Sequence, residues 1–215
     1  LGFGALRSKS STCVQFVGHP HLVAMALQVA LLLAMPAVAV STGTPYEIMP
    51  CQAGGPALTT QNLTMCEYQE AVNSVKDAWA SLSTACTAAE CPQATWAGCV
   101  LRMAGHDFMD YQPGNGGGSD GCTNLDANDN AGLASCLIEP LNRTSLHQLY
   151  QQFCTKISLA DFFVIAGEAV MQCTRELEPD AQQLNFIENF KFGRTTSKTC
   201  PRSGHQLPLA EGSCD

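Results

Sequence analysis

The sequence predicts an all-α domain with long loops and a disulfide framework. Apolar residues recur at alternating spacings of three and four in several segments, and no alternating strand pattern of useful length occurs anywhere. Those two observations set a helical period over most of the chain. The third is the presence of twelve cysteines dispersed through 215 residues. Cysteines at this density and spread read as disulfides of an oxidising compartment, whereas a zinc ribbon would gather them into tight pairs.

The first element is an address. Residues Leu22 to Val40 form an uncharged apolar run ending in the small-x-small triplet Ala37, Val38, Ala39. This is the layout of a secretory signal over 22–39, cleaved after Ala39. The run approaches the minimum length of a membrane span, but Pro36 and the triplet favour removal, so a membrane is a partner only if residues 22–40 are retained. Residues 1–21 begin with Leu1 and carry Arg7 and Lys9; they read as the product of an incomplete upstream end. Cleavage would remove Cys13 and leave an odd number of cysteines, so one thiol is expected to be free or to lack its partner. The sequons at Asn62 and Asn142 fit the same secretory route.

A lead over 40–64 precedes the domain, which runs from 65 to 215. Met65, Tyr68, Val72, Val75, Trp79 and Leu82 trace one helix face, and Thr64 with Glu67 supplies a capping-box start. A second helix is predicted from about Ala94 to Phe108, with Trp96, Val100 and Met103 along one side and Arg102 and His106 at i, i+4 on another. The run QPGNGGGSDG over Gln112 to Gly121 is too rich in glycine for a helix or a strand and must be an irregular loop. Leu146, Leu149, Tyr150 and Phe153 mark a further amphipathic helix. Ser158 and Asp161 then cap the run Leu159 to Met171, which is apolar nearly all round and belongs in the interior. From Glu176 onward the composition is mostly that of loops.

Composition narrows the function. A formal charge of -8, with no predominantly basic stretch, excludes a concentrated cationic surface for phosphates, so nucleic acid is not a partner. An apolar fraction of 46% with only 14% charged residues argues against a disordered tail or a solvated coiled coil. The chain is long enough for one domain with a real core, which disulfides reinforce and do not replace.

The chemistry concentrates in Leu101-Arg102-Met103-Ala104-Gly105-His106-Asp107, the glycine loop ending Ser119-Asp120-Gly121-Cys122, and Asn130-Ala131-Gly132-Leu133. An imidazole and a guanidinium on one helix face can share a ligand, the first moving a proton and the second stabilising developing negative charge. An amide accepting a hydrogen bond from the other ring nitrogen would fix the tautomer, and Asn130 is the candidate.

The order R-x-x-x-H-D, glycine loop, G-S-D-G, N-A-G-L resembles the distal half of the plant, fungal and bacterial haem peroxidase superfamily. The resemblance extends to Ile157-Ser158-Leu159-Ala160-Asp161, similar to the buried helix midway through that fold, to Phe192-Gly193-Arg194, and to Gly204-His205-Gln206-Leu207-Pro208, similar to the family's G-R-L-P loop. It implies a haem-peroxidase-like helical fold, haem b as cofactor, and hydrogen peroxide and a small reducing substrate as partners. Arg102, His106 and Asn130 match the distal arginine, the distal histidine and the histidine-orienting asparagine. His106 would move the peroxide proton, Arg102 would stabilise charge as the O–O bond breaks, and the cofactor would oxidise small organic donors by one-electron steps.

Three departures accompany the resemblance. Gly105 stands where the family has Phe or Trp, which opens the pocket above the haem. Asp107, Gly118 and Asp120 match the family's calcium ligands, but Cys122 replaces a serine, and a thiol is a poor donor to a hard cation. The proximal histidine of the family lies beyond the position of Asp215, so the resemblance reads the chain as the distal part alone, inactive in isolation. His205 reads as a loop substitution, His19 and His21 precede the signal, and His147 reads as an ordinary surface side chain. Two other readings compete: a secreted, disulfide-bonded, non-catalytic binding protein on a degenerate peroxidase scaffold, and a metal-dependent hydrolase using His106, Asp107 and Asp120. The hydrolase is the weaker, because no second histidine has ligand spacing.

Overall fold

The computed structural model describes residues 4–5, 44–88, 91–114, 116–138, 145–178 and 180–200. The signal-like run, Cys13, His19, His21, Asn142, His205 and the loop 204–208 lie outside the described residues. The described part is mainly helical, as expected. Its helices are α1 (Pro45–Ile48), α2 (Met65–Ala80), α3 (Pro92–Met109), α4 (Ala134–Leu137), α5 (Leu146–Tyr150) and α6 (Leu159–Glu176). The regular strand pairing among the described residues is a two-residue antiparallel ladder, β1 (Gly4–Ala5) with β2 (Lys191–Phe192).

Helix α2 begins where the capping box places it. The Thr64 hydroxyl accepts from the Glu67 N–H at 3.2 Å, and the Glu67 carboxylate accepts the Thr64 N–H at 3.0 Å. Each bond satisfies a donor that the first helical turn leaves without a partner. Helix α3 starts at Pro92, whose missing N–H costs nothing in a first turn. Trp96, Val100 and Met103 form its buried face.

The core is built on α6. Phe162, Ile165, Ala166, Ala169 and Val170 have no solvent exposure, and α2 and α3 pack against this helix. Tyr68 donates to Glu168 at 2.7 Å, and Lys76 pairs with Glu176 at the same distance, so α2 runs alongside α6 in the same direction. The α3 contact is close because Gly167 lacks a side chain: a Cβ there would lie 3.2 Å from the Cβ of Ala104.

Two expectations need correction. The amphipathic segment from Leu146 to Phe153 is helical only over Leu146–Tyr150, and residues 151–157 follow as turns. Its apolar residues are still inward, with Leu146, Leu149 and Tyr150 buried, because successive turns keep a helix-like periodicity without completing another regular helical turn. Asp161 is not a capping side chain. Ser158 caps α6 alone, accepting from the Asp161 N–H at 3.1 Å, while the Asp161 carboxylate accepts from the Gly193 N–H at 2.9 Å and the Arg194 guanidinium at 2.8 Å. Two other donors at this start go to hydroxyls from elsewhere: Thr60 takes the Ser158 N–H and Thr196 the Ala160 N–H.

Between described residues, disulfides join Cys51–Cys154, Cys86–Cys91, Cys99–Cys136 and Cys122–Cys200. Cys66 is also disulfide-bonded. Cys173, buried in α6, is a free thiol, and burial pushes it up to about 11. Among the described residues no helix is long and apolar enough to cross a membrane.

Candidate functional site

Arg102 and His106 project from the same face of α3, as their i, i+4 spacing requires. Across from them lies a short 3₁₀ turn, Asn128–Asn130, after which Gly132 at φ +84° redirects the chain toward α4. His106 Nδ1 lies 2.7 Å from the side-chain oxygen of Asn130. The amide is not free to flip, because its nitrogen donates to the Asn124 carbonyl at 2.6 Å and a carbonyl can only accept. The oxygen therefore faces His106, so Nδ1 carries the proton and a neutral ring keeps its lone pair on Nε2. Nε2 has no hydrogen-bond partner among the described residues.

The Arg102 guanidinium lies over the same turn. It donates to the Ala131 carbonyl at 2.8 Å and to the Asp129 carbonyl at 2.5 Å, the two residues flanking Asn130. Arg102 is exposed, His106 is partly so, and Asn130 is buried. Phe108 and Met109 at the end of α3 and Tyr111 just after it are exposed apolar side chains. A Cβ at Gly105 would meet only the Met109 methyl, at 3.9 Å, so the helix has open space just before His106.

Asp107 points inward, away from this group. It is 1% exposed, and its two oxygens accept the Gly121 and Cys122 N–H groups at 3.1 and 3.0 Å. Asp120 accepts the Cys122 N–H at 3.0 Å, and Asp110 accepts the Gly118 N–H at 2.7 Å. Loss of water, then the neighbouring carboxylates, hold Asp107 well above the ordinary carboxylate range against the pull of its backbone donors. Burial likewise raises Asp110, and it pushes Asp120 up to about 6. The glycines make this geometry attainable: Gly117 at φ +78° passes so close to Asp110 that a Cβ would sit 2.6 Å from its carbonyl oxygen.

Comparison with protein-family models, with curated proteins and with solved structures returns no match to this chain.

The geometry thus brings Arg102, His106 and Asn130 into one group, and Asp107, Gly118 and Asp120 into a second behind it. A hydrolytic centre from His106, Asp107 and Asp120 does not assemble: Asp107 faces the loop backbone, and among the described residues no three His, Cys, Asp or Glu side chains are placed to hold a metal ion. The Cys122 sulfur is committed to Cys200 and offers no thiol. His147 is an ordinary side chain, its Nε2 3.1 Å from the Pro50 carbonyl. A cavity of about 140 Å³ lined by Tyr46, Met49, Pro50, Tyr150 and Leu159 shares no residue with either group.

Sequence reasoning missed two contributors. Asp110 holds the glycine loop from one turn after Asp107, and Cys99, one turn before Arg102, ties α3 to α4 through Cys136. The i, i+3 spacings were a signal for both, since each extends a helix face already singled out.

Proposed function

We propose that this protein is a secreted haem-dependent peroxidase, reducing hydrogen peroxide and oxidising small organic donors by one-electron steps, with Arg102, His106 and Asn130 on the peroxide side of the cofactor. The observation that carries the reading is the 2.7 Å contact between His106 Nδ1 and the Asn130 amide oxygen, with Nε2 left without a partner among the described residues. The disulfides support an extracellular or secretory location, and the exposed Asn62 is open to a glycan.

The residues fit the distal side of a haem. An imidazole with Nε2 bare among the described residues, a neighbouring guanidinium and an open position at Gly105 lie together on α3. His147 is engaged with the Pro50 carbonyl and is not among the residues assigned to the cofactor. When bound, haem b would supply the redox centre. The chain's own residues supply proton traffic and electrostatics. Asn130 holds Nδ1–H, so Nε2 would be available to take a proton from hydrogen peroxide and give it back to the oxygen that leaves as water, while the bound haem would supply the two electrons and keep the other oxygen. Arg102 would stabilise the negative charge that develops as the O–O bond breaks.

Calcium belongs to the same proposal, at Asp107, Asp120 and the Gly118 carbonyl. These are hard oxygen donors in a desolvated setting that a cation would relieve.

The test uses the product of the complete coding sequence loaded with hemin. His106→Leu is expected to slow the peroxide-driven change in Soret absorbance by about 10² to 10⁴, the usual cost of a lost proton shuttle. Equal rates for wild type and His106→Leu would refute the assignment.

A further inference from the structure

Three side chains on α3 grip one continuous stretch of chain. Cys99, Arg102 and His106 follow at i, i+3 and i+7, hence along one helix face. Cys99 is bonded to Cys136 and its sulfur lies 3.7 Å from the Leu133 carbonyl. Arg102 holds the carbonyls of Asp129 and Ala131, and His106 meets Asn130 between them. The segment carrying the tautomer-setting amide is therefore fastened to the helix that carries the imidazole, at both sides of the amide and again a turn later.

We propose that Arg102 is a positioning residue for the His106–Asn130 pair: by holding the carbonyls on either side of Asn130 it presents the amide oxygen to Nδ1 and so keeps the proton-accepting lone pair on Nε2. The Cys99–Cys136 disulfide is the outer clasp of the same grip. The functional meaning of the tautomer rests on the peroxidase reading, but the grip itself is a property of the folded chain.

The physical argument is one of degrees of freedom. Asn130 has a second partner, the Asn124 carbonyl, on its own side of the turn. Those two atoms alone orient the amide within the turn, but they do not fix the turn against α3. Two charge-assisted donors from a planar guanidinium do, because their fork demands both carbonyls at once. Lysine reaches a similar distance with a point charge and cannot hold both carbonyls in one plane.

The experiment reads the tautomer directly, in full-length protein without haem or peroxide. Histidine is labelled with ¹⁵N, and ring nitrogen shifts and long-range ring couplings are recorded at pH 8, where an ordinary imidazole is neutral. In wild type, His106 is expected to show a protonated Nδ1 and a bare Nε2. Arg102→Leu is expected to lower the ratio of that tautomer to the other by about tenfold, the worth of one typical hydrogen bond. Arg102→Lys should fall between the two, and Cys99→Ser with Cys136→Ser should shift the ratio the same way by less. If Arg102→Leu fails to fold, the folded Arg102→Lys and Arg102→Gln proteins decide the question. A wild-type tautomer ratio in folded Arg102 variants would overturn the proposal. Shifted tautomers in a protein that, with hemin, shows no His106-dependent peroxide reaction would refute the peroxidase reading and leave the positioning role standing.

Discussion

Asp161 carries more of the tertiary structure than any other single carboxylate among the described residues. It has no solvent exposure, yet it accepts the Gly193 N–H and the Arg194 guanidinium, fastening the stretch after β2 to the start of α6. Arg194 in turn lies over the Phe190 ring, 5.6 Å from its centre, and Phe190 packs on Tyr68 of α2. Asp161 is wholly buried but the Arg194 side chain is 22% exposed, so removing the carboxylate is expected to cost about 1–3 kcal/mol, the penalty of leaving its donors unpaired. Asp161→Ala is accordingly expected to destabilise the protein by an amount in that range in urea unfolding. Asp161→Asn retains an acceptor and should cost less. A loss below about 1 kcal/mol for the alanine variant, the level of an exposed pair, would show that the ion pair is not what holds the segment.

The helices differ in how far they could be read from the chain. The start of α2 was legible because its cap, Thr64 with Glu67, and its apolar period are both local and point to the same place, whereas the period ran on to Leu82 past the helix end at Ala80. The end of α5 was not, since Phe153 continues the period through a stretch where the backbone has already broken into turns. Asp161 was misread for a related reason: its position suits a cap, and only the fold brings Arg194 to it. At the site, the order of Arg102, His106 and Asn130 was legible as a motif. The grip of Arg102 on the turn and the pairing of Cys99 with Cys136 were not, because they depend on how α3 meets a segment some thirty residues on. Close helix contact is likewise invisible in the sequence, and Gly167 offers its test. Its missing Cβ would lie 3.2 Å from that of Ala104, so alanine there asks α3 for a small adjustment while regaining about 1 kcal/mol of helix propensity. Gly167→Ala should be close to neutral, whereas Gly167→Val forces α3 from α6 at a cost of about 1–3 kcal/mol. Ala104→Gly in the valine background should recover part of that loss. Additive effects in the double mutant would mean that the two residues do not share the strain.

At the scale of the molecule, the aspartate group behind the site is where three separate parts of the chain meet. Asp107 belongs to α3, the glycine loop lies over it, and Gly121 backs onto α6 so tightly that a Cβ would sit 2.9 Å from the Ala160 nitrogen. Cys122 extends the junction to Cys200 through its disulfide. Burial in this junction raises the proton affinity of Asp107, Asp110 and Asp120, and for Asp107 and Asp120 a neighbouring carboxylate adds to it. The calcium proposed at Asp107, Asp120 and the Gly118 carbonyl would offset this burial and fasten the glycine loop to α3, so its effect should be global. A ligand held at one hundred times its dissociation constant adds about 2.7 kcal/mol to stability. For a domain of this size about 1 kcal/mol corresponds to roughly 2–4 °C, so saturating calcium should raise Tm by roughly 5–10 °C over the protein in EGTA. Asp120→Asn should abolish most of that increase, because the amide keeps the acceptor for the Cys122 N–H but brings no charge to the cation. Magnesium should do less, since it demands a tighter octahedral shell and gives up its waters reluctantly. Superimposable melting curves in calcium and in EGTA would remove calcium from the proposed function, and the aspartates would then serve the fold alone, through the backbone donors they already hold.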